Sequence, residues 1–81
     1  MSLYLIIFNP CGTQFLVNQE TEDVAFQSAV KANRIVGEME DTDLSDKSLY
    51  QIEKVDFSVL ANLIQTSVYW GKTDDTIIFD D

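Results

Sequence analysis

Fourteen carboxylates, one thiol and no imidazole set the chemistry this 81-residue chain can attempt. Acid–base work by paired carboxylates needs two of them in one pocket, in environments that push their pKa values apart. No spacing among the Asp and Glu residues singles out such a pair. Cys11 sits in the turn Asn9-Pro10-Cys11-Gly12. A nucleophilic cysteine normally needs a neighbouring base, and the chain has no histidine, so the thiol reads as structural or incidental. Zinc loses its usual His and Cys ligands for the same reason. Asp41-Thr42-Asp43-Leu44-Ser45-Asp46 resembles the opening of a calcium loop. Its sixth position is Asp46 rather than Gly, and its twelfth is Ile52 rather than Glu, which breaks the pattern. Gly12 belongs to no phosphate-binding motif. The expectation is a protein without catalytic residues, metal or cofactor, and not an enzyme.

The carboxylates are more informative by position than by type. The formal net charge is -9. Glu38, Glu40, Asp41, Asp43 and Asp46 lie in one stretch without a basic residue, and Asp74, Asp75, Asp80 and Asp81 lie in another. The rest of the chain holds as many acids as bases. The charge is therefore confined to one linker and the C-terminus, unlike the mixed surface that solubility alone asks for. Two such segments meeting in space would speed encounter with a basic partner and repel acidic ones. Carboxylates at phosphate-like spacing would make a DNA mimic, which residues 38–46 can approach only in an extended or bent loop. Direct nucleic-acid binding is not expected, because five basic residues neutralise few phosphates.

The elements that must position these groups follow from local pattern. Leu3–Phe8 is apolar throughout and reads as a buried strand. The Asn9–Thr13 turn leads to a second strand over Gln14–Asn18, forming a hairpin. Thr21 is placed to cap a helix, with Glu22 and Asp23 in its positive first turn. Ala25, Ala29, Ala32 and Val36 keep helical spacing, and Gly37 supplies the left-handed stop. Glu38–Ser48 reads as a linker. Leu49–Phe57 reads as a strand in which Tyr50 and Ile52 share one parity, and Val55 and Phe57 the other. That switch asks for a bulge or for burial on both faces. Ser58 is placed to cap a second helix, Val59–Trp70, stopped by Gly71. After a polar turn at Lys72–Asp75, Thr76–Phe79 reads as a short strand. The fold class is α+β: a small, mainly antiparallel sheet of about four strands, element order β-β-α-β-α-β, with two helices on one face.

Eighty-one residues make one domain, residues 1–81, near the lower size limit for an unassisted core. With no disulfide or metal to staple it, the apolar core must suffice. The longest apolar run, Leu3–Phe8, falls far short of the roughly 20 residues of a membrane helix. No secretory signal pattern precedes it, and a lone cysteine fits a reducing compartment, so a cytoplasmic protein without membrane contact is expected. Tyr4 and Phe8 are expected in the core. Tyr69 and Trp70, at the end of the second predicted helix, are candidate interface anchors, since such residues dominate binding hot spots.

This layout resembles small phage-encoded proteins that inhibit bacterial defence systems, the anti-CRISPR proteins among them. The resemblance is carried by the hairpin (Tyr4–Phe8, Phe15–Asn18), the acid-capped helix (Thr21–Val36), the later strand (Tyr50–Phe57) and the segregated acids. It spans most of the chain but includes no diagnostic motif. It implies stoichiometric inhibition by occlusion in a bacterial host cytoplasm and transfers no functional residue. The expected function is a protein-binding inhibitor whose acids (Glu38, Glu40, Asp41, Asp43, Asp46, Asp74, Asp75, Asp80, Asp81), with Tyr69 and Trp70, engage the basic nucleic-acid groove of a partner protein or nucleic-acid-processing complex. The alternative is a structural subunit that forms a homodimer or larger assembly through the second helix or a sheet edge, the Thr76–Phe79 strand being the candidate edge.

Overall fold

The computed structural model describes residues 2–37, 42–56, 68–72 and 76–80; for residues 68–72 and 80 it describes the backbone. The elements are β1 (Ser2–Phe8), β2 (Thr13–Gln19), α1 (Glu22–Val36), a 3-10 turn (Lys47–Leu49), β3 (Tyr50–Val55), β4 (Val68–Lys72) and β5 (Thr76–Asp80). All five strands form one antiparallel sheet in the order β3-β1-β2-β5-β4. The α+β class and the antiparallel sheet agree with the sequence reading.

The hairpin forms because a continuous apolar strand meets a turn that can reverse it. Gly12 takes a positive φ of 77°, and its N–H donates to the Phe8 carbonyl at 2.8 Å. β1 and β2 then pair without interruption from Ser2–Gln19 to Phe8–Thr13. Helix α1 begins and ends as its caps dictate. The Thr21 hydroxyl accepts from the Val24 N–H at 3.3 Å. Gly37, at φ 70°, closes the other end by donating to the Asn33 carbonyl. Each cap satisfies a backbone group that the helix itself leaves without a partner.

One face of the sheet carries Tyr4, Ile6, Phe8, Phe15, Val17, Tyr50 and Ile78, all buried against α1. The helix meets them with Ala25, Ala29 and Ala32, whose small side chains allow close approach, and with Val30. Tyr4 and Phe8 are core residues, as expected. Leu5, Leu16 and Phe79 alternate with these positions and are also buried, so the central strands are covered on both faces. β3 follows the same rule. Its register with β1 is unbroken, which excludes a bulge. Tyr50 and Ile52 lie on the α1 face, while Val55 is half-buried on the other.

Three expectations are corrected. Val68–Lys72 is a strand and not the end of a second helix, so the sheet gains a fifth strand and Tyr69 and Trp70 lie in it. Val68, Tyr69 and Trp70 are β-branched or aromatic and suit a pleated surface better than a helix end. Pairing with β5 decides the outcome. Gly71 stops no helix; it sits beyond a register shift in which Tyr69 pairs with Phe79 and Gly71 with Ile78, leaving Trp70 as the extra residue. The start of the predicted second helix, residues 59–67, lies outside the described residues, and α1 is the sole α-helix among those described. Third, Thr76–Phe79 is not an edge: β5 is paired on both sides, by β2 and β4. No described helix is long and apolar enough to cross a membrane.

Candidate functional site: a pinned acidic loop

The segment entering β3 is built from a three-residue pattern used twice, Asp43-Leu44-Ser45 and Asp46-Lys47-Ser48. The Asp43 carboxylate accepts from the Ser45 N–H at 3.1 Å and from its hydroxyl at 2.6 Å. The Asp46 carboxylate accepts from the Ser48 N–H at 3.1 Å and from its hydroxyl at 2.7 Å. The backbone repeats the period, with Asp46 N–H donating to the Asp43 carbonyl and Leu49 N–H to the Asp46 carbonyl, each at 3.1 Å. Short polar side chains bond their own backbone two residues on, and here they do so in tandem. Both carboxylates remain exposed. One oxygen of each is held by the turn, which fixes the direction in which the charge points.

Two further contacts tie this loop to the core. The Tyr50 hydroxyl donates to the Leu44 carbonyl at 2.6 Å and accepts from the Asn33 side-chain amide at 2.9 Å. The Tyr50 ring packs on Phe8 and edge-on against Phe26, with centroids 5.0 and 5.1 Å away. The Leu49 carbonyl accepts from the Asn9 N–H at 2.9 Å, which joins the loop to the β1–β2 turn. Lys47, the nearest cation in sequence, is drawn away. It lies 3.5 Å from Glu22 and 3.9 Å from Asp23 at the start of α1, above the Phe26 ring. These pairs are exposed and contribute little stability. Their consequence is that the lysine's charge is taken up by α1.

Electrostatics follow from the same contacts. The Ser45 hydroxyl and N–H hold the Asp43 carboxyl below the ordinary carboxylate range, with Arg34 adding a smaller pull. Asp43 therefore stays charged further into acid. Burial raises the Tyr50 phenol above its ordinary value, against the opposing effect of the Asn33 amide. Tyr50 is thus a neutral structural hydroxyl at any physiological pH. Cys11 is exposed, 3.2 Å from the Thr13 hydroxyl.

The structure brings Asp43 and Asp46 together on one short loop. The β5 terminus at Asp80 reaches the same end of the sheet as this loop and the β1–β2 turn, since Phe79 pairs with Gln14 and Phe8 with Tyr50. β3 and β5 are nevertheless separated by β1 and β2. Three strand spacings make about 14 Å. That exceeds the screening length of about 8 Å at physiological salt. Thr76, which follows the Asp74-Asp75 pair, pairs with Val17 toward the opposite end. Tyr69 and Trp70 belong to β4, at the far edge from β3. Glu38, Glu40, Asp41, Asp74, Asp75 and Asp81 lie outside the described residues. Among the described residues, no three potential metal-ligating side chains gather. Sequence reasoning passed over Tyr50, Asn33, Ser45 and Ser48. The signal for the serines is the Asp-x-Ser pattern used twice over residues 43–48.

No family model matches the chain, and neither a curated protein nor a solved structure gives a match.

Proposed function

We propose that the chain is a non-enzymatic protein-binding inhibitor whose acidic loop occupies a basic, nucleic-acid-binding groove on a partner protein. The observation that carries this reading is the fixed, exposed pair Asp43 and Asp46 on a loop tied to the core through Tyr50. Charge held in place before encounter steers association and reduces the ordering cost on binding. Lys and Arg of the partner would pair with these carboxylates. The acids at Glu38, Glu40, Asp41, Asp74, Asp75, Asp80 and Asp81, with Tyr69 and Trp70, belong to the same proposal as an extended contact. A DNA-mimic role requires several of them at phosphate-like intervals. The partner class drawn from the resemblance to anti-CRISPR proteins is a nucleic-acid-handling complex of bacterial defence, in the host cytoplasm.

The test is capture from a bacterial lysate at low and high salt, read by mass spectrometry, with wild type and Asp43→Lys/Asp46→Lys as baits. The reading expects a nucleic-acid-binding protein on the wild type at low salt, its loss at high salt and its absence from the double variant. Equal recovery on both baits, or recovery indifferent to salt, removes the acidic loop from the contact. The rival class, a self-assembling subunit, is favoured by a separate feature: the unbroken edge of β3.

A further inference from the structure

Of the sheet's two edges, β4 and β3, only one is suited to pairing again. β4 is interrupted by the register shift at Trp70, and a bulge disrupts the ladder that a further strand would extend. β3 pairs with β1 through six consecutive residues without a shift. It has no proline. Among the described residues β1 is its only ladder partner. Leu49 bonds toward β1, so the groups of Tyr50, Ile52 and Lys54 face the other side, and of these the Tyr50 N–H is already given to the Lys47 carbonyl. The strand is also held firmly: Tyr50 is buried and bonded to Asn33 and Leu44, and Leu49 to Asn9. Gln51, Glu53 and Lys54 are exposed, and Ile52 and Val55 are half-buried.

We infer that β3 is a homodimerisation edge, pairing antiparallel with the β3 of a second copy in the register that sets Ile52 opposite Ile52. The argument is one of parity and charge. In an antiparallel ladder, residues directly opposite each other share a face of the sheet. A two-fold axis between identical strands therefore passes through a residue pair i and i, not between i and i+1. Two such registers overlap over five residues of Tyr50–Val55. One centres on Glu53 and sets two carboxylates directly opposite each other, which is unfavourable. The other centres on Ile52. It places Glu53 opposite Gln51 twice and Lys54 opposite Tyr50 twice, with an apolar pair in the middle, and no like charges meet. The paired edge would also remove a template for indiscriminate strand addition. Each copy carries a net charge of -9, so long-range repulsion opposes the dimer and salt screens it. Dimerisation through β3 thus strengthens with salt, the opposite dependence from that of binding to a basic partner.

Sedimentation equilibrium of the whole chain over a range of concentrations, at low salt and in about 0.5 M sodium chloride, tests this together with residue-resolved amide exchange. The expected result is a monomer–dimer equilibrium that tightens with salt, with the Ile52 and Lys54 amides slowing on dimerisation. Gln51→Lys places an ammonium opposite Glu53 twice per dimer and tightens association about fivefold, while Gln51→Glu loosens it by a similar factor. Gln51 is exposed, so neither change threatens the fold. A monomer at every concentration and salt overturns the inference. So does a dimer whose β3 amides stay unprotected, or one indifferent to both Gln51 variants.

Discussion

Tyr50→Phe removes one oxygen and leaves the ring packed between Phe8 and Phe26. The oxygen serves two partners. The Asn33 amide donates to it from a residue only 2 % exposed. The Leu44 carbonyl, on a half-buried residue of a mostly exposed loop, accepts from it. Once the oxygen is gone, the Leu44 carbonyl can recover water, but the Asn33 amide cannot. A buried donor left without its acceptor costs about 1–3 kcal/mol, so the variant should lose about 2 kcal/mol. In a domain this small that lowers the melting temperature by roughly 8–16 °C. Urea unfolding is the assay, and the slope should stay constant because the exposed surface hardly changes. Amides of Ser45 and Ser48 should exchange faster, since Leu44 is no longer tied to the core. pH supplies a second arm. Folding raises the Tyr50 phenol, so above about pH 10 the unfolded chain releases this proton while the folded one keeps it. The folded state then binds more protons, and stability falls as pH rises through that range. Tyr50→Phe should flatten the fall. A loss below about 0.5 kcal/mol with unchanged loop exchange would refute the claim that this hydroxyl holds the acidic loop to the core, since that is the scatter of inconsequential substitutions.

Phe15→Ala empties the middle of the sheet, where Phe15 is fully buried opposite Ile6 and Ile78; a loss of about 3–5 kcal/mol should leave little cooperative unfolding visible by calorimetry. Gly37→Ala meets no clash, its nearest non-neighbour atoms being 3.9 and 4.0 Å from the new Cβ, so the expected cost is the conformational one alone, about 1 kcal/mol in urea. Ser45→Ala deletes the strongest influence on Asp43; its carboxyl should titrate nearer the ordinary value in an NMR pH series, and an unmoved midpoint would mean that the turn does not hold the charge.

The hairpin and α1 were legible because their signals are local. Leu3–Phe8 cannot be exposed, Gly12 can reverse the chain, and Thr21 and Gly37 are chemically suited to the ends they occupy. β5 was legible too, as the Thr76–Phe79 strand, and β4 was not. Leu60, Leu63, Ile64, Ser67 and Val68 keep a helical period, which hides the strand tendency of Val68-Tyr69-Trp70. Val68–Lys72 is a strand because it pairs with β5, and β5 is in turn held by β2 from the other end of the chain, a contact with no local signature. The acidic loop was half-legible. Its charge was plain in the composition. Its rigidity was not, because it depends on Tyr50 reaching Asn33 from 17 residues away.

That distance bears on the recognition role proposed for so short a loop. An isolated acidic linker would sample many shapes, and each encounter would have to order it afresh. Here the serines orient the two carboxylates locally, and Tyr50 fixes the loop as a whole against the α1 face of the sheet. Lys47, which could have neutralised them, is held by Glu22 and Asp23. The loop also runs directly into β3, so the proposed charged contact and the proposed pairing edge share one strand start, at Tyr50. Their salt dependences are opposite in sign. A partner gripping Asp43 and Asp46 is favoured at low ionic strength and a second copy at high, so ionic strength alone separates the two modes of association in a single preparation.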